Sequence, residues 1–210
     1  TTESLNLVAQ GLWAGGPDQA WLRAGDEIIV SGLEHHANLL PWQQAARQSG
    51  AVLRILRPDV QGRLHVADLQ ALLSPRTRVL ALTASANATG ERPPFEELLR
   101  MAAQAGALTV LDAAQAAAYA MPALAHIDCD LLAFSGHKMY GPMGTGVLAG
   151  RRDALHKLYP LRLGGDMVQD VSCERALYAD LPARLEGGTP NVSGAVGLAA
   201  AAQFITNIGR

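Results

Sequence analysis

Six short runs rich in valine, isoleucine and leucine recur along the chain: DEIIVS (26–31), AVLRILR (51–57), RVLALT (78–83), LTVLD (108–112), DLLAFS (130–135) and TGVLAG (145–150). Each has the length of a strand and is continuous in its apolar character rather than alternating, the mark of a strand covered on both faces. Between them lie segments with helical spacing of apolar residues: SLNLVAQGLWA, LPWQQAARQSG, LHVADLQALL, PFEELLRMAAQAG and AAQAAAYAM. Strands alternating with helices predict a mostly parallel sheet with helices on both sides, a three-layer α/β sandwich. Gly50 and Gly106 each close one of the helical segments and read as helix stops. From about 159 to 192 the pattern is less periodic and predicts a path over the surface.

A chain of 210 residues with 49% hydrophobic and 17% charged residues can bury one large core, which predicts a single domain over residues 1–210. The formal charge of −2 supplies no basic field for a polyanion, so nucleic acid is excluded as an expected partner. No apolar stretch approaches the roughly 18 residues that a membrane helix needs, and the N-terminal TTESLNL lacks the layout of a signal peptide. Cys129 and Cys173 are far apart and show no CxxC spacing, which predicts free thiols in a reducing, cytoplasmic setting.

In a parallel sheet, ligands bind beyond the carboxyl ends of the strands. Four runs deliver polar side chains there. Glu34, His35 and His36 follow IIVSG, Asn87 follows RVLALT, Asp112 ends LTVLD, and Ser135, His137 and Lys138 follow DLLAF. His35 and His36 are adjacent on extended chain, point to opposite sides and have no carboxylate-rich partner set, so a zinc pair is not expected and His36 reads as structural.

A lysine able to lose its proton, a strand-end aspartate, imidazoles and hydroxyls together match the needs of pyridoxal 5′-phosphate. Lysine supplies an imine, the carboxylate keeps the pyridine nitrogen protonated, and an imidazole face stacks on the ring. The phosphate calls for hydroxyls and a helix N-terminus, which Thr1 or Thr2, capping the first helical segment, would offer.

The segments LEHHANLLPW (33–42), LDAAQAA (111–117), DCDLLAFSGHKMYGPMGTGVL (128–148), LGGDM (163–167) and LEGGTPN (185–191), in that order, resemble the class V aminotransferase superfamily, and within it the group II cysteine desulfurases and selenocysteine lyases. The resemblance runs through nearly the whole chain. It implies the aspartate aminotransferase-like fold of the large domain of pyridoxal-phosphate transferases. It further implies that Lys138 carries the imine and shuttles a proton, Asp112 pairs with the pyridinium nitrogen and His35 stacks on the ring. Gln115 and Asn87 would bond near the phenolic oxygen, while Ser135, His137 and Thr2 hold the phosphate. Thr189, in the GTPN segment, is implied to reach the cofactor of a homodimer partner.

The implied reaction removes sulfur from L-cysteine to give L-alanine, with a persulfide that a sulfur-acceptor protein collects. In that family the nucleophilic cysteine and the arginine that binds substrate follow a segment like this one, so neither Cys129 nor Cys173 is expected to be the nucleophile. The chain is expected to be a cofactor domain without the N- and C-terminal segments that build the small domain. Two alternatives stand beside this reading: a non-catalytic remnant that binds pyridoxal 5′-phosphate or only dimerises, and a selenocysteine lyase or other class V lyase. His126 and His156 are expected at the surface, and Cys129 as a small filler of the core.

Overall fold

The computed structural model describes residues 1–15, 19–124 and 126–209. In chain order it contains α1 (Thr2–Gly11), β1 (Glu27–Ser31), α2 (Leu40–Ser49), β2 (Val52–Leu56), α3 (Val66–Leu72), β3 (Thr77–Thr83), α4 (Phe95–Gln104), β4 (Leu108–Asp112), α5 (Ala117–Leu124), β5 (Leu131–Ser135), β6 (Gly146–Gly150), α6 (Arg152–His156), β7 (Val168–Val171), β8 (Ala176–Tyr178) and α7 (Val192–Asn207). Six strands form one sheet in the order β2-β1-β3-β4-β5-β6. All neighbours are parallel except β6, which runs antiparallel to β5 at the edge. The order reverses direction between β1 and β3, which makes the gap above those two strands a switch point where ligands settle.

The continuous apolar runs resolve into two sets of alternate residues, one for each face. Ile28, Val30, Val79, Ala81 and Val110 pack with Leu5 and Val8 of α1, with Leu12 just after it, and with Trp42 and Ala45 of α2. Ile29, Leu80, Leu82 and Leu111 pack on the opposite face with Leu69 of α3 and Leu98, Leu99 and Ala102 of α4. Side chains that alternate between two covered faces give three layers, as the strand pattern requires. At about 25 cal/mol for each Å² of apolar surface withdrawn from water, these two interfaces supply the main drive to fold.

Gly50 ends α2 with φ of +77°, and a Cβ there would come within 3.0 Å of Ala24, so the stop is both conformational and steric. The helix expected over AAQAAAYAM begins later, at Ala117, because Asp112 Oδ1 accepts a hydrogen bond from Ala114 N at 2.9 Å and holds the chain in a turn first. Thr1 occupies the N-cap of α1 without making the expected side-chain cap: its hydroxyl is 2.7 Å from Ser135 Oγ instead. The segment 159–192 is largely exposed and includes the two-stranded β7–β8 hairpin. Beyond it α7, a helix the sequence pattern did not announce, packs against the turn that follows β5, with Leu198 and Ile205 against Met139. Cys129 is half-buried against the α3–α4 face, while Cys173, His126 and His156 are exposed.

Candidate active site

The carboxyl ends of β1, β3, β4 and β5 surround a cavity of about 240 Å³. His35 reaches it from the loop after β1, Asn87 from the loop after β3, and Asp112 and Gln115 from the end of β4 and the turn beyond. Ser135, His137 and Lys138 line it from the end of β5, and Thr2 from the start of α1. Thr189 lies elsewhere, exposed in the segment just before α7. His36 lines a neighbouring groove of about 380 Å³ that shares Thr2, His35 and Ala37 with the cavity.

Backbone pairing explains the convergence. Thr83 is the register partner of Asp112 at the ends of β3 and β4, and Asp112 pairs in turn with Ala133 of β5. Immediately after β5 the chain tightens into a short 3-10 turn, Gly136–Met139, whose buried Met139 anchors it while His137 and Lys138 stay exposed. The turn ends at Tyr140 with φ of +64°, a left-handed conformation that is uncommon for an aromatic residue.

Asp112 is only 3% exposed, and among the described residues a protein donor engages only its Oδ1. Burial raises its pKa above the usual carboxylate range, while the Ala114 N–H and then the positive charge of Lys138 act in the other direction. The carboxyl and the amine therefore sense one another across the cavity. His35 Nδ1 accepts a hydrogen bond from Ala37 N at 3.1 Å, so the neutral ring carries its proton on Nε2. Among the described residues no group of three or more His, Cys, Asp or Glu converges as a metal site would require.

Sequence reasoning passed over two contributors. Thr83 and Ser85 also line the cavity, their hydroxyls following directly from the run that forms β3. Lysine content was a further signal: the sequence has just two lysines, Lys138 and Lys157, and Lys157 lies beyond β6, where its Nζ donates to Asp153 O at 3.1 Å. A lysine side chain in this cavity can only be that of Lys138.

The family model described as aminotransferase class-V matches residues 1–210. A cysteine desulfurase of Synechococcus elongatus is 42% identical over 209 residues, covering 100% of this chain and 33% of its own length. A cysteine desulfurase of an Enterobacter species is 42% identical over 210 residues, covering 100% of this chain and 50% of its own. Among solved structures, the cysteine desulfurase CsdA of Escherichia coli superposes with a TM-score of 0.91 at 42% identity, over 98% of this chain and 50% of that one. The cystine C-S lyase C-DES, in complex with its product cysteine persulfide, gives 0.83 at 25% identity, over 99% of this chain and 55% of that one. The chain thus spans between a third and about half of the length of the relatives it matches.

Proposed function

The chain belongs to the class V aminotransferase family, and from that premise we propose that it is the large, cofactor-binding domain of a cysteine desulfurase that takes sulfur from L-cysteine and leaves L-alanine. The observation that carries this reading is the meeting of a primary amine, a buried carboxyl and an imidazole in one cavity: Lys138, Asp112 and His35, delivered from three strand ends. The sheet and its helical layers are those of the aspartate aminotransferase-like fold.

The family's cofactor is pyridoxal 5′-phosphate, and the donor set of the cavity fits it. When bound, it supplies an electron-accepting ring that stabilises negative charge on the substrate α-carbon. Asp112 has an oxygen without a protein donor among the described residues, suited to holding a proton on the ring nitrogen. His35, its Nδ1 occupied by Ala37, presents a flat face for stacking. Ser135, His137 and Thr2 offer hydroxyl and imidazole donors to the phosphate beside the start of α1. Gln115 and Asn87, which also line the cavity, would bond near the phenolic oxygen. Lys138 Nζ is the group able to hold the cofactor covalently, and then to take a proton from the α-carbon and return it.

Sulfur leaves to a thiolate: an S–S bond forms as the C–S bond breaks, its electron pair stays with carbon, and a proton takes the vacated position. Neither cysteine lines the cavity. Burial pushes the Cys129 thiol up to about 11, which suits a filler rather than a nucleophile. The reading therefore assigns that thiolate, and the arginine for the substrate carboxylate, to parts of the longer relatives outside these 210 residues. A sulfur-acceptor protein would then collect the persulfide.

The reading includes a homodimer, with Thr189 reaching toward the partner's cofactor. The exposed Val192, Val196, Phe204 and Ile208 of α7 and its end support a covered surface there. No helix among the described residues is long and apolar enough to cross a membrane, and a cytoplasmic setting accords with the two free thiols. Mixing the chain with pyridoxal 5′-phosphate, reducing with borohydride and mapping the labelled peptide tests the proposal. The label is expected on Lys138; a label on Lys157, or none, refutes it.

A further inference from the structure

Glu34 does not line the cavity, yet it stands directly before His35 and takes hydrogen bonds from three separate segments. Its Oε1 accepts from Ser31 Oγ at 2.5 Å and from Thr83 N at 2.8 Å, tying the ends of β1 and β3 together. Its Oε2 accepts from Asn38 Nδ2 at 2.6 Å. Asn38 is fully buried, and its Oδ1 accepts from Trp42 Nε1 of α2 at 3.0 Å, which fixes which end of the amide meets the carboxyl. The turn 34–38 is thus clamped at both ends, while among the described residues the His35 ring is bonded only to Ala37 within the same turn.

We propose that Glu34 is a positioning residue that, through Ser31, Thr83 and Asn38, fixes the His35 ring as a wall of the cofactor cavity. The inference rests on the cofactor reading given above. Stability alone does not account for a carboxyl here. Among the described residues no cation forms an ion pair with Glu34, and a buried carboxyl without a cation costs free energy that an apolar side chain of similar volume would not. A carboxyl does supply two acceptors set at a fixed angle, which is what three donors from different elements require. The clamp also tolerates a proton: Oε1–H can donate to Ser31 Oγ while Thr83 and Asn38 go on donating.

Glu34→Gln tests the geometry. Either orientation of the new amide sets its NH₂ against another donor, Asn38 Nδ2 or Thr83 N–H. Adding Asn38→Asp supplies an acceptor for that NH₂ and leaves an oxygen for Trp42. The readout is the affinity for pyridoxal 5′-phosphate, titrated by visible circular dichroism. E34Q is expected to weaken binding about tenfold, and E34Q/N38D to recover to within about threefold of wild type. In a His35→Ala background E34Q is expected to change affinity by less than about twofold, because the ring it positions is gone. Where E34Q does not fold, Ser31→Ala removes one donor only; its loss of about threefold must likewise vanish without His35. Equal losses with and without His35 overturn the inference alone. A wild-type chain that takes up no cofactor overturns the proposed function and this inference with it.

Discussion

Two glutamates sit at opposite ends of β1, and their surroundings push them in opposite directions. Glu27, the first residue of the strand, is fully buried. Its Oε2 accepts from Ser74 Oγ at 2.6 Å, and its Oε1 from Arg54 at 2.8 Å and Arg76 at 3.1 Å. The Ser74 bond and then the two guanidinium groups outweigh burial and hold its pKa down at about 2. Glu34, three residues past the other end, has neutral donors only, and burial pushes it up to about 8 against the pull of Ser31, Asn38 and Thr83. At the amino end of the sheet a buried charge is neutralised and stabilises the fold. At the carboxyl end the buried carboxyls of Asp112, in the cavity, and Glu34, behind its wall, stand without arginine, and the cavity lining contains none among the described residues. That is where a ligand can complete the electrostatics.

The sharpest way to break this contrast is to remove the one lysine of the carboxyl end. Lys138→Ala should abolish borohydride-fixed cofactor entirely, read by intact mass, with folding preserved because the side chain is exposed. Adduct persisting at Lys157 would show that the rim is not the reactive end. A second test uses pH. Because the folded-state pKa of Glu34 is raised, the folded chain holds its proton more tightly than the unfolded chain, so its stability contribution is full at low pH and is lost as pH rises from about 4 toward 8. Urea titrations across that window should show wild type losing up to about 1 kcal/mol per pH unit relative to Glu34→Gln. Parallel profiles would place Glu34 among ordinary carboxyls. Asp112→Asn comes next: cofactor affinity should fall about a hundredfold with the loss of a charged acceptor, while the melting temperature holds or rises because a costly buried carboxyl is gone. An unchanged affinity would leave Asp112 as no more than a brace for the Ala114 turn.

The same contrast governs how much was legible in the sequence. Strands β1 to β6 could be read because a strand covered on both faces writes itself as a continuous apolar run, and the rim residues because each directly follows such a run. α7 could not: VSGAVGLAAAAQFITN is apolar on every side, and Val196 is 66% exposed, so it lacks the polar stripe that marks a surface helix. The β7–β8 hairpin is short and exposed, with too few alternations to stand out. In the site, the cofactor-facing side chains were visible through local order and motif resemblance, but the Glu34 clamp was not. Its bond from Thr83 joins residues 49 positions apart, and no local pattern encodes which strand end will meet which turn. The Ala113–Ala116 turn was likewise hidden, since alanines favour helix until the Asp112 side chain captures the Ala114 N–H.

At the amino end the expected effect is smaller and confined to stability. Glu27→Gln keeps an oxygen for one partner but removes the charge that Arg54 and Arg76 share. Those arginine side chains are 41% and 66% exposed, so water takes over part of their solvation and the cost should be about 2 kcal/mol by urea denaturation, below that of severing a fully enclosed pair. The pH dependence runs opposite to that of Glu34. With a folded pKa lowered to about 2, the stabilisation by Glu27 is fully present above about pH 4 and is lost as pH falls toward 2. The variant should therefore flatten the acid limb of the stability profile and leave the limb between pH 5 and 8 as it was, a window set by the two folded pKa values. Cofactor affinity should stay within about twofold of wild type, because Glu27 lies at the far end of β1 from the cavity. A marked fall in affinity would mean that the two ends of the strand are mechanically linked, and that the division between a stabilising end and a reactive end does not hold.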